Sequence, residues 1–237
     1  MKDKRSELSM LQSYRLYAGG RLLTSFLIFS IGEILMCLFC VFFELIMMAW
    51  SDGRSFVEVF NNLASNVSQK DNLDPHMWIF AISLATGIIL IRQFDKSNPG
   101  GKFFRTVKGG FETYKKYQIV VYMTILSSTV LCATVAFLLD HFGIIALKGG
   151  IAFSVACVTS VVYALTIYSI ANRFKNNISS SVISILTVAF CSGIFGDRTL
   201  LERGNVKTFI ILLVIGLILL PLSMRLYFSF YKRECWD

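Results

Sequence analysis

Long runs of apolar residues alternate with shorter polar segments along the whole chain. Six such runs stand out, at 22–50, 77–91, 119–139, 151–171, 182–195 and 209–226. A helix needs about 20 apolar residues, in a range of roughly 17–25, to cross a bilayer. The pattern therefore predicts an all-α integral membrane protein with six transmembrane helices in a single transmembrane domain spanning 1–237. The second and fifth runs are short by that standard. His76, Arg92 and 179–181 extend them into the headgroup zone. The first run far exceeds a signal-peptide core of roughly 7–15 residues and is expected to be retained as a long, tilted helix. Pro221 lies inside the sixth run. It removes a backbone donor and predicts a kink near Leu217.

Composition agrees with this reading. Hydrophobic residues make up 55% of the 237 and charged residues 16%, and mean hydropathy is +0.63. Ordinary soluble domains are nearer one quarter charged. The net charge is +8, which in a soluble protein would suggest nucleic acid. Here its placement points instead to the lipid bilayer, and no nucleic acid partner is expected. With the N-terminus inside, 17 of the 23 Lys and Arg fall on the cytoplasmic side; six, Arg54, Lys70, Lys148, Arg198, Arg203 and Lys207, fall outside. Basic connections stay inside, so both termini are expected in the cytoplasm and the chain in the cell (cytoplasmic) membrane as a multi-pass protein. Trp50 and Trp78 would mark the outer boundary, and Tyr114, Tyr117, Tyr227 and Tyr231 the inner one, since amphipathic rings favour that depth.

The polar connections differ in character. Segment 1–21 reads as an amphipathic interfacial helix. Leu8, Leu11 and Arg15 share one side, Met10, Tyr14 and Tyr17 the next, and Ser6 or Ser9 is placed to cap it. Lys2, Lys4 and Arg5 would face anionic lipid heads. Segment 51–76 is the extracellular loop, where Phe56, Val57, Val59, Phe60 and Leu63 predict a short helix lying on the membrane; Asn66-Val67-Ser68 fits a glycosylation acceptor. Paired glycines at 19–20, 100–101, 109–110 and 149–150 fall at expected helix boundaries.

Segment 92–117 is the longest and most basic cytoplasmic connection. A turn at 95–101 precedes Lys102, Phe103, Phe104, Arg105, Thr106, Val107 and Lys108, in which Phe103, Phe104 and Val107 form one side of a two-turn helix. A further short stretch, 111–117, then returns the chain to the membrane. A short amphipathic helix held below the bilayer suits either a soluble partner or the lipid surface itself. This layout resembles the membrane subunit of ABC-2-type ABC transporters, which have six helices, an amphipathic N-terminal helix, and a coupling helix between the second and third spans. Gly101 to Val107 matches the family's Gly-Thr/Lys-x-x-x-x-Leu-Pro type of pattern, with Lys108 where the family has proline. The re-entrant helices found in that family between the last two spans would have only 196–208 available here. The resemblance implies a permease with Lys102, Phe103, Phe104, Arg105, Val107 and Lys108 coupling to a separate ABC ATPase subunit. It also implies a homodimer, or a heterodimer with a related permease.

The chain has no Gly-x-x-x-x-Gly-Lys-Ser/Thr sequence, so no cofactor is expected on it and ATP would be bound by the partner. Glu33 and Glu44 are the acidic residues inside the six runs. Eleven residues apart, they return to within about 20° on a helix, and Cys37 and Cys40 lie between them on the same stripe, with Ser30 at its edge. An acidic group at the bilayer centre costs on the order of 2.5–3.5 kcal/mol on insertion scales. This stripe should therefore face protein, a cavity or a subunit interface. It would either line the substrate path or hydrogen-bond a neighbouring helix. The Cys37/Cys40 pair lacks the second pair or nearby His of a zinc site, and no metal site is expected. No nucleophile–base pair or HExxH supports an enzyme.

The functional expectation is thus the permease subunit of an ABC exporter of a peptide, antibiotic or lipid-like substrate. A substrate-binding membrane subunit of a vitamin-uptake system, or a non-transporting scaffold or sensor, are the alternatives.

Overall fold

All regular structure among the described residues is helical. The computed structural model describes residues 9–18, 22–64, 79, 82, 86, 110–142, 150–171, 180–195 and 206–235. Its helices are α1 (Met10–Ala18), α2 (Leu22–Asp52), α3 (Phe56–Ala64), α4 (Gly110–His141), α5 (Gly150–Ala171), α6 (Ser180–Phe195) and α7 (Val206–Cys235). Between α3 and α4, residues Ile79, Ile82 and Thr86 are helical and buried. The rest of the expected second span and the whole of 102–108 lie outside the described residues.

Three helices are long and apolar enough to cross a membrane: Gly110–Leu138 in α4, Ile151–Ala171 in α5 and Val206–Ser229 in α7. At about 1.5 Å per residue the shortest of these is about 32 Å long, close to the hydrocarbon thickness of a bilayer. A shorter apolar stretch, Phe26–Met36, lies in α2. The outward surface of these helices carries large apolar side chains in contiguous bands. On α2 these include Ile28, Ile31, Leu35, Phe39 and Trp50, and on α7 Ile211, Val214, Ile218 and Leu222, all exposed. Soluble proteins rarely expose patches of that extent. The chain is a multi-pass membrane protein.

α5 is the centre of the bundle, packed against α4, α6 and α7. Of its spanning window 67% is buried, against 22% for α7. Its sequence explains why. Ala152, Ala156, Ser160 and Ala164 recur every fourth residue, all buried, and give neighbouring helices close access. Phe153, Leu165 and Tyr168 fill the remaining faces with fully buried bulk. α7 shows the complementary one-sided pattern. Phe209, Gly216, Leu220, Ser223 and Tyr227 are buried at helical spacing, and the intervening apolar residues face outward. Gly216 fits where α7 meets α5: a Cβ there would lie 2.9 Å from Val162 Cγ1 and 2.9 Å from Tyr163 Cε2. α6 docks on α5 through Thr187, Cys191 and Phe195, with Phe195 and Tyr163 ring centroids 5.2 Å apart.

Two helix ends show the chemistry that sets them. Ser9 and Gln12 form a reciprocal capping box at the start of α1: Ser9 N–H donates to Gln12 Oε1 at 2.9 Å, and Gln12 N–H to Ser9 Oγ at 3.2 Å. At the end of α2, Gly53 takes a φ of 63°. Gly53 N–H then reaches Trp50 O at 3.3 Å and Arg54 N–H reaches Ala49 O at 3.0 Å, the paired closure of a glycine-terminated helix. The chain turns there into α3, which packs on α2 through Phe42 and Phe56, 5.3 Å between centroids.

Two expected boundaries shift. The stretch 111–117 is not a separate short element but the first two turns of α4, which runs unbroken from Gly110. α7 likewise continues through Pro221 to Cys235, well past the apolar run. In α1, among the side chains described, Ser13 is the buried one, while Met10 and Leu11 are about half exposed. The helix packs on α4, and Met10 and Leu11 line a cavity shared with Ile119, Val120 and Met123 of α4.

Candidate functional site in the membrane interior

Glu33 sits on the face of α2 that meets α4, and its side chain is completely buried. α4 supplies its neighbours from consecutive positions. Ser128 Oγ donates to Glu33 Oε2 at 2.9 Å. Thr129 Oγ1 stands 3.3 Å from Glu33 Oε1 and 3.1 Å from the Ile125 carbonyl, so its one proton is shared between two acceptors. Ser30, one turn before Glu33, donates from Oγ to Ser128 Oγ at 3.2 Å. Cys132 Sγ lies 4.0 Å from the Ser30 carbonyl and closes the cluster toward the C-terminal end of α4. Ser30, Ser128, Thr129 and Cys132 are all buried.

Burial of a carboxyl in so apolar a setting is costly unless its oxygens are hydrogen-bonded. Here each oxygen has a hydroxyl neighbour. No cation stands within ion-pair distance of Glu33 among the described residues. The arrangement ties α2 to α4 by side-chain hydrogen bonds across the seam between them. If that seam opened, a carboxyl and three hydroxyls would face the gap.

Glu44 is also buried, eleven residues further along α2, beside the apolar positions Leu45 and Ala49. Glu33 and Glu44 are thus both turned away from lipid. Cys37 and Cys40 lie in α2 between them, and their side chains are outside the described residues. The coupling residues Lys102, Phe103, Phe104, Arg105, Val107 and Lys108 are likewise outside them. No group of three or more His, Cys, Asp or Glu comes together among the described residues.

Other polar residues also tie the bundle together. Tyr122 Oη and Ser169 Oγ are 2.7 Å apart between α4 and α5. Ser154 Oγ donates to the Ala133 carbonyl at 3.2 Å across the same pair. Tyr114 Oη and Tyr227 Oη are 2.7 Å apart between α4 and α7. Gln118 is buried, with neither amide atom hydrogen-bonded among the described residues. The run Ser127-Ser128-Thr129 was the available signal for Glu33's partners, because three consecutive hydroxyl residues in an apolar span place at least one on each broad face.

Comparison of the chain with protein-family models, with curated proteins and with solved structures finds no match.

Proposed function

We propose that this chain is the permease subunit of an ABC exporter of the ABC-2 type, driven by ATP hydrolysis in a separate subunit. It crosses the membrane six times, with α2, the run 77–91, α4, α5, α6 and α7 as the spans and both termini in the cytoplasm. Two copies, or one copy and a related permease, enclose the pathway.

The observation that carries the proposal is the route out of the basic loop 92–117. Its residues 110–117 are the first turns of α4, which directly follows 102–108 in the chain, and α4 touches α1, α2 and α5. A push delivered to 102–108 by an ATPase reaches the interfacial helix, the Glu33 seam and the bundle centre through one rigid helix. Alternating access needs this kind of lever. The α2–α4 seam, with Glu33 and its hydroxyl neighbours, then forms an edge of the substrate path that opens as α4 tilts.

The test is affinity purification of the full chain from its native membrane, with the co-purifying proteins identified by mass spectrometry. An ABC ATPase is expected with the wild-type chain and is expected to be lost when Phe103, Phe104 and Val107 are all changed to Asp. A correctly folded chain with no ATPase partner would overturn the proposal. Tight binding of one small vitamin by the isolated chain would instead favour the uptake subunit.

A further inference from the structure

α4 and α7 both pack on α5, and at one end they meet each other edge to face. Phe111 and Phe228 centroids are 6.4 Å apart at 86°, beside the Tyr114–Tyr227 hydroxyl pair. Alongside this meeting point a groove of about 590 Å³ opens on the side of the bundle, with Phe111, Ile119, Met224 and Phe228 as its apolar walls and Lys115 and Arg225 on it. Among the described residues neither cation has a carboxylate within ion-pair distance. Arg225 is exposed and Lys115 half-buried. Lys115 stands just before the apolar run 119–139 and Arg225 near the end of the run 209–226, so each charge sits at the edge of the hydrocarbon rather than in open water. Two cations over an apolar slot match a molecule with an anionic head and hydrocarbon tails.

We propose that this groove is a binding site for an anionic phospholipid of the inner leaflet, its phosphate held between Lys115 and Arg225 and an acyl chain lying along Ile119 and Met224. Basic pockets between helices on the cytoplasmic side suit such headgroups. The inner-leaflet assignment rests on the orientation proposed above; the binding chemistry does not. A lipid seated there bridges the helix that receives the basic loop and the last helix of the bundle, so occupancy stiffens α4 against α7.

Native mass spectrometry of the full chain, released from detergent with equal phosphatidylglycerol and phosphatidylethanolamine, tests this without reference to any ATPase. The wild-type chain is expected to retain phosphatidylglycerol preferentially by about tenfold. Lys115→Gln with Arg225→Gln should abolish that preference. Met224→Trp should weaken retention by filling the slot with both charges intact. Lys207→Gln, exposed at the opposite end of α7, should change nothing. Inorganic phosphate should not compete, because it lacks the tails. An unchanged preference in either the double variant or Met224→Trp would overturn the proposal, as would equal competition by phosphate. If the double variant does not fold, the Met224→Trp chain decides alone.

Discussion

Glu33 is completely buried between two helices, with Ser128 and Thr129 at its oxygens. Hydrogen bonds between membrane helices average about 0.6 kcal/mol and reach about 1.7 kcal/mol, because the separated helices find other partners. A double-mutant cycle between Glu33→Gln and Ser128→Ala is therefore expected to give a coupling of about 0.5–1.7 kcal/mol. Unfolding of the four chains in micelles by denaturant measures it. A coupling of zero would mean that the two side chains act independently. The acidic stripe was legible in the sequence because a carboxyl in an apolar run must be turned from lipid. Its partners were legible only as the hydroxyl run 127–129, because hydroxyls are common in membrane helices and which of them meets Glu33 depends on how α2 docks. The burial of Gln118 was invisible, since nothing local distinguishes a buried glutamine from an interfacial one.

At the scale of the element, Gly216 decides how closely α7 approaches α5. A Cβ at 2.9 Å from a β-branched valine and a tyrosine ring forces a shift. Gly216→Leu is expected to destabilise the bundle by about 1–3 kcal/mol through overpacking, and Gly216→Ala by less, because one ring edge can move aside. Thermal unfolding in a single detergent, read by loss of monodisperse protein on size exclusion, ranks the three chains. Equal stability of the leucine variant would contradict the close contact. At α1, Ser9→Ala removes half of the capping box and is expected to cost about 1 kcal/mol of local helix stability, seen as faster amide exchange over 10–14 with α2 unaffected. The apolar runs disclosed where α2, α5 and α6 lie to within a few residues. They did not disclose that α4 begins at Gly110 and α7 ends at Cys235, because Lys115, Lys116 and Arg225 break the apolar pattern while their helices continue. Long basic side chains at helix ends reach the interface without interrupting the helix.

For the whole molecule, bands of exposed leucine, isoleucine and phenylalanine surround a core rich in small and hydroxyl residues. Bilayer hydrocarbon gives no hydrophobic drive between helices, so small-residue packing and hydrogen bonds hold them together. That is what α5 supplies, with its small residue at every fourth position, Tyr122–Ser169 and the Ser154 contact. Membrane residence was legible from hydropathy alone, whereas the central place of α5 was not, because a mostly buried helix and one largely facing lipid are both apolar throughout. The sidedness of the bundle rests on charge: 17 of 23 basic residues lie in segments assigned to the cytoplasm. Single cysteines introduced after Lys70 and after Lys102, in a chain whose own cysteines are replaced by serine or alanine, measure that sidedness in intact cells with a membrane-impermeant thiol reagent. The first is expected to be labelled from outside and the second only after the membrane is opened; labelling of both from the same face would contradict the six-span arrangement and the permease built on it.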